Sequence, residues 1–143
     1  MLHRPGIGAA EMRLARRDEP SRRPLLDKLG VRPGVRAAVL GEFPADFLAQ
    51  LRGRAGEVAA EPDGCDLVFL AAEDRARLGD VPGVVARLRR DAALWIVRPR
   101  GSPLITEREV LAAGLAAGVV DVKVVHFSDT HGAAKFVVRR ADR

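Results

Sequence analysis

Gly41, Glu42, Glu73, Arg98, Arg100 and Ser102 all fall just beyond the ends of apolar runs in this sequence. Open α/β sheets present ligand-binding side chains at such positions. Arg98 and Arg100 close the run Leu94-Trp95-Ile96-Val97, and Gly101-Ser102 leads on toward a helix start at Thr106. Two guanidinium groups beside the amino end of a helix suit a bound anion. Glu73 and Asp74 follow the neighbouring run and offer the alternative, surface carboxylates that pair with those same arginines. Gly41 ends the run Arg36–Leu40. A G-x-G-x-x-G loop there would bring backbone N–H groups against a phosphate. Instead the single glycine is followed by Glu42, Phe43 and Pro44, a carboxylate, a phenyl ring and a residue with no N–H.

Other reactive side chains are worse placed. Cys65 precedes its strand, at the end opposite to the ligand edge, and reads as a buried small hydrophobe. His126, Asp129 and His131 cluster in sequence, but no fourth ligand lies near them to complete a tetrahedral metal site. Ser128 completes a Ser/His/Asp composition too local to form a nucleophile, base and orienting acid in a row. No catalytic or metal-ligating residue is assigned.

The elements that position these residues are well marked. Leu25–Leu29 forms a helical turn closed by Gly30, and Arg32-Pro33-Gly34 a tight turn before a first strand at Arg36–Leu40. Phe47, Leu48 and Leu51 recur at helical spacing up to Gly53, and a weak second strand covers Glu57–Ala60. Leu67–Ala71 and Leu94–Val97 are continuously apolar, the pattern of strands covered on both faces. Between them Asp80 caps a helix with Pro82 in its first turn, and Val84, Val85 and Leu88 face inward. Thr106-Glu107-Arg108-Glu109 is a capping box. Its helix carries Val110, Leu111 and Leu115 and closes at Gly118. Val120, Val122 and Val124 then alternate with period two, which sets Asp121 and Lys123 together on one face as an ion pair or a partner contact. Asp129-Thr130-His131-Gly132 makes the turn into a last strand over Ala133–Arg139. This order gives an α/β Rossmann-like domain with a mainly parallel sheet of five or six strands and a C-terminal antiparallel hairpin.

At 143 residues the chain has room for one core, over residues 25–143, after a basic segment at 1–24. That core must be mostly aliphatic, because aromatic residues make up only 4% of the chain. No run reaches the length of a membrane span and no secretory signal leads the chain, so a cytoplasmic protein is expected. The lone cysteine agrees with a reducing compartment. The net charge of +5 rests on arginine, a usage that also follows from a GC-rich bacterial genome. Residues 1–24 hold Arg4, Arg13, Arg16, Arg17, Arg22 and Arg23 against three acids. A solvated tail and nucleic-acid contact through these arginines are the two readings, and no aromatic residue is interleaved to stack bases.

Several segments carry a resemblance. Pro24-Leu25-Leu26-Asp27-Lys28-Leu29-Gly30-Val31-Arg32-Pro33-Gly34, Cys65-Asp66-Leu67-Val68-Phe69, Ala93-Leu94-Trp95-Ile96 with Pro99, Gly118-Val119-Val120-Asp121-Val122-Lys123 and Ala134-Lys135-Phe136-Val137 resemble a family of short bacterial proteins of unknown function. Those look like cut-down relatives of S-adenosylmethionine-dependent methyltransferases. The resemblance implies the methyltransferase variant of the Rossmann fold and no known reaction. It places Gly41 at the first glycine of the cofactor loop and Glu61 where such enzymes hold the ribose hydroxyls; a surface glutamate is the alternative. The stretch from Val58 to Asp66 is too short for the extra helix and strand of an adenosine pocket. No cofactor is expected, S-adenosylmethionine being the one left open. A non-catalytic binding or adaptor module is the leading expectation. The others are an enzyme or sensor for a small nucleotide-like or anionic ligand, and nucleic-acid association through the arginine segment.

Overall fold

Two strands with uninterrupted apolar runs, Leu67–Ala71 and Ala93–Val97, form the middle of the sheet in the structure, a computed structural model that describes residues 23–139. β3 (Leu67–Ala71) is buried at all five positions and runs parallel to β4 (Ala93–Pro99), with Phe69 beside Trp95. β1 (Arg36–Leu40) pairs with the other side of β3, and β2 (Glu57–Ala59) lies outside β1. The hairpin of β5 (Val119–His126) and β6 (His131–Val138) joins through β6, antiparallel to β4. The six-stranded order is β2-β1-β3-β4-β6-β5, parallel up to β4. The basic segment read at 1–24 lies, apart from Arg23 and Pro24, outside the described residues.

Alternation along the central strands supplies both faces. α1 (Leu25–Lys28) and α2 (Ala45–Arg54) cover the side that carries Ala37, Phe69 and Trp95. Trp95 is fully buried there, and its Nε1–H donates to the Leu29 carbonyl at 3.1 Å. A 3₁₀ segment (Arg75–Asp80), α3 (Val81–Ala86) and α4 (Glu107–Ala117) cover the side that carries Val68, Leu94 and Phe136. α4 starts at the expected capping box, with Thr106 Oγ1 accepting from the Glu109 N–H and Glu109 accepting from the Thr106 N–H. It stops at Gly118, whose φ of 103° is the left-handed conformation that a side chain disfavours. No helix among the described residues is long and apolar enough to cross a membrane.

Three local expectations are corrected. Asp80 does not cap α3. The chain enters that helix straight from the 3₁₀ segment, so Asp80 is itself helical, and it is Asp74 whose carboxylate caps, accepting from the Ala76 N–H at 3.0 Å. His131 and Gly132 belong to β6 and not to the turn. The alternation along β5 breaks at a bulge: Asp121 pairs with Phe136 and Lys123 with the next residue, Lys135, leaving Val122 extra. Asp121 and Lys123 therefore point to opposite faces. Val122 and Val124 stay exposed because β5 is an edge strand and nothing packs over them.

Candidate functional site

The carboxyl ends of β1, β3 and β4 share one edge, and the antiparallel register brings the β5–β6 turn to it by placing His131 opposite Pro99. Gly41 follows β1 at this edge with φ 96°. A Cβ there would come within 3.0 Å of the Ala71 Cβ and 3.2 Å of Arg77 Nη2, so the Arg77 guanidinium lies directly against the glycine. Asp80 holds that guanidinium only loosely, at 3.6 Å. Glu42 is exposed beside Gly41. Phe43 turns inward, its ring centre 5.5 Å from Phe47, 6.5 Å from Phe69 and 6.0 Å from Phe127. Phe43 thereby joins the core under α1 and α2, where Phe47, Phe69 and Phe127 are buried.

The acids and arginines converge on this edge but pair differently from the sequence expectation. Glu73 does not meet Arg98 or Arg100. Its Oε2 lies 2.8 Å from His131 Nε2, and His131 Nδ1 lies 2.7 Å from Thr130 Oγ1. Arg98, its side chain only 12% exposed, binds Glu107 at 3.1 Å. Arg100 Nη2 donates to the carbonyls of Ser128 and Asp129, gripping the hairpin turn. Ser102 Oγ accepts from the Leu104 N–H at 3.1 Å. Both arginines are thereby engaged by the protein's own oxygens. Arg77, Thr130 and His131 are the members of this edge that sequence reasoning missed. The contact that brings His131 and Thr130 to this edge joins Glu73 and His131, 58 residues apart in the chain.

Glu61 is not with the others. Arg87, at the end of α3 where the chain returns to begin β4, holds it at 2.7 Å and binds Asp63 as well. The Arg87 bond holds the Asp63 carboxyl below its usual range. Cys65 is fully buried, and burial pushes its thiol up, away from a nucleophilic thiolate. Among the described residues no three His, Cys, Asp or Glu side chains are placed to hold a metal. Burial, then the charges of Arg100 and Lys28, push the His126 imidazole down.

The strand order with its closing hairpin has counterparts among solved structures. A SAM-dependent methyltransferase from Aquifex aeolicus superposes over 90% of this chain and 98% of its own, with a TM-score of 0.63 and 17% identity. The fold is the methyltransferase variant of the Rossmann fold. A TehB-like SAM-dependent methyltransferase from Corynebacterium glutamicum matches over 80% of this chain and 85% of its own, at a TM-score of 0.53 and 14% identity. The fibrillarin pre-rRNA processing protein of Methanococcus jannaschii matches over 94% and 76%, at 0.52 and 10%. No family model matches the sequence, and no curated protein does. At these identities the likeness is one of fold.

Proposed function

We propose that this protein is a binding module on a methyltransferase-like scaffold whose cofactor crevice is filled by its own side chains. The observation that carries the reading is Arg77 packed against Gly41, with Phe43 folded into the phenyl cluster beside it. S-adenosylmethionine carries a sulfonium cation, and a guanidinium at the switch point opposes it electrostatically. The ion pair of Glu61 with Arg87 removes the acid that would meet the ribose. The neighbours described as SAM-dependent support the competing reading, in which this edge binds that cofactor or another small ligand. The row Thr130–His131–Glu73 favours it too, since a hydroxyl, an imidazole and a carboxylate in hydrogen-bond contact are the parts of a proton relay. Titration calorimetry with S-adenosylmethionine and S-adenosylhomocysteine separates the two. The filled crevice entails no saturable heat. Low-micromolar binding of either, weakened in Glu73→Ala or His131→Ala, would establish the small-ligand reading instead.

A further inference from the structure

All three lysines of this chain, Lys28, Lys123 and Lys135, lie where the hairpin meets α1, and none forms an ion pair among the described residues. Several arginines elsewhere are matched with carboxylates, as in Arg36–Glu57, Arg75–Glu109 and Arg89–Asp66. Lys123 on β5 stands directly opposite Lys135 on β6. Like charges in that position oppose strand pairing. Lys135 Nζ stands 6.0 Å from the centre of the Trp95 ring, and Lys28 Nζ donates to the His126 carbonyl at 2.9 Å. Burial, then the charges of Lys135 and Arg23, push the Lys123 amine down, and burial with Arg23 does the same to Lys28. A lysine on an edge strand guards it against pairing with another chain, which accounts for Lys123. It does not account for Lys135, because β6 is flanked by β4 and β5 and has no free edge.

A cross-strand pair of cations without a carboxylate is what an anionic partner would neutralise. The sequence adds a reason to choose an extended polyanion, since Arg4, Arg13, Arg16, Arg17 and Arg22 lead directly into Arg23. We infer that Lys123 and Lys135 bind the phosphate backbone of a nucleic acid that Arg23 and the arginines before it in sequence also engage, while Lys28, buried and bound to the His126 carbonyl, adds positive charge beneath them without touching the partner. This names a partner for the binding module proposed above and rests on that reading. The lysine pair supplies a fixed anchor on the folded surface, and contact to phosphates alone gives affinity without base specificity.

Fluorescence anisotropy on the full chain tests this, with a labelled single-stranded RNA and a duplex DNA of the same sequence. The double substitution Lys123→Gln, Lys135→Gln is expected to weaken binding about tenfold at low salt. It should flatten the slope of log K against log salt by about 1.4 for RNA or about 1.8 for duplex DNA, two phosphate contacts in either case. The same variant should melt at a higher temperature, since it removes a repulsion, and that readout separates a binding role from a structural one. Arg90→Gln with Arg108→Gln removes equal charge from exposed positions elsewhere and should change affinity little. Equal losses in the two double variants, an unchanged slope, no binding of either nucleic acid, or tighter binding to phosphatidylserine vesicles would each overturn the inference. Calorimetry with S-adenosylmethionine is independent of this outcome: cofactor binding alone would refute the filled crevice, and undiminished nucleic-acid binding by the lysine variant, or none by the unaltered chain, would refute the lysine site.

Discussion

A Cβ added at Gly114 would lie 2.3 Å from Cε2 of Phe136, whereas one added at Gly53 meets nothing within 4 Å. Both glycines are helical, and alanine would favour either helix by about 1 kcal/mol on propensity alone. At Gly53 that gain stands, so Gly53→Ala should stabilise the protein by about 0.5–1 kcal/mol in urea titrations. At Gly114 the fully buried ring cannot give way, so the same change should destabilise by about 1–3 kcal/mol. A stabilising Gly114→Ala would show that the contact between α4 and β6 is looser than the structure has it. Glu109 gives a pH test. The Arg75 side chain, then the Thr106 N–H, holds its carboxyl at about 2, below the usual 4.5. A carboxyl depressed in the folded state stabilises fully above about 4.5 and loses that contribution as the pH falls toward 2. Glu109→Gln should therefore lower the melting temperature at pH 7 and reduce its further fall between pH 4.5 and 2. Parallel curves for variant and parent would refute that assignment. Of the candidate residues, Gly41, Glu73, Arg98, Arg100 and Ser102 could be placed on one edge from sequence because strand order alone puts them there. Their partners could not, because the pairings Glu73–His131 and Arg98–Glu107 depend on register and side-chain rotamers that no local pattern encodes.

Among the elements, the legible ones carry their own start and stop signals. α4 is bounded by Thr106 with Glu109 at one end and by Gly118 at the other, and both signals are purely local. Thr106→Ala removes the acceptor for the Glu109 N–H and should cost about 0.5–2 kcal/mol of unfolding free energy. A loss indistinguishable from zero would mean that water replaces the cap without penalty. β3 and β4 are legible for a different reason, since an uninterrupted apolar run between turn residues fits a strand covered on both faces. The bulge in β5 has no such signature. Valines recur at every second position straight through it, so the sequence pattern implies one continuous face while the ladder skips Val122. Asp80 misleads in the same way: it precedes Pro82 as a cap should, but Asp74, six residues earlier, starts the helical path first.

At the scale of the whole molecule, two helical layers share a single sheet, and the central strands feed both. Val68 and Leu94 belong to the face under α3 and α4, while their neighbours Phe69 and Trp95 belong to the face under α1 and α2. Neither layer can lose its packing without unsettling strands that the other requires, so unfolding should be a single cooperative step. The chain offers a direct probe, because Trp95 is its only tryptophan and is fully buried on the α1 face. In a denaturant titration, Trp95 fluorescence and far-ultraviolet circular dichroism should trace the same curve. Phe136, fully buried on the opposite face, supplies the decisive variant. Phe136→Ala should lower stability by about 3–5 kcal/mol through the cavity it leaves. The Trp95 signal should report that loss in full, with the denaturant slope unchanged. If Phe136→Ala shifts the circular dichroism transition but leaves the fluorescence transition in place, the layers unfold separately. The sheet would then not couple its two helical layers, and each would have to be treated as an independent folding unit.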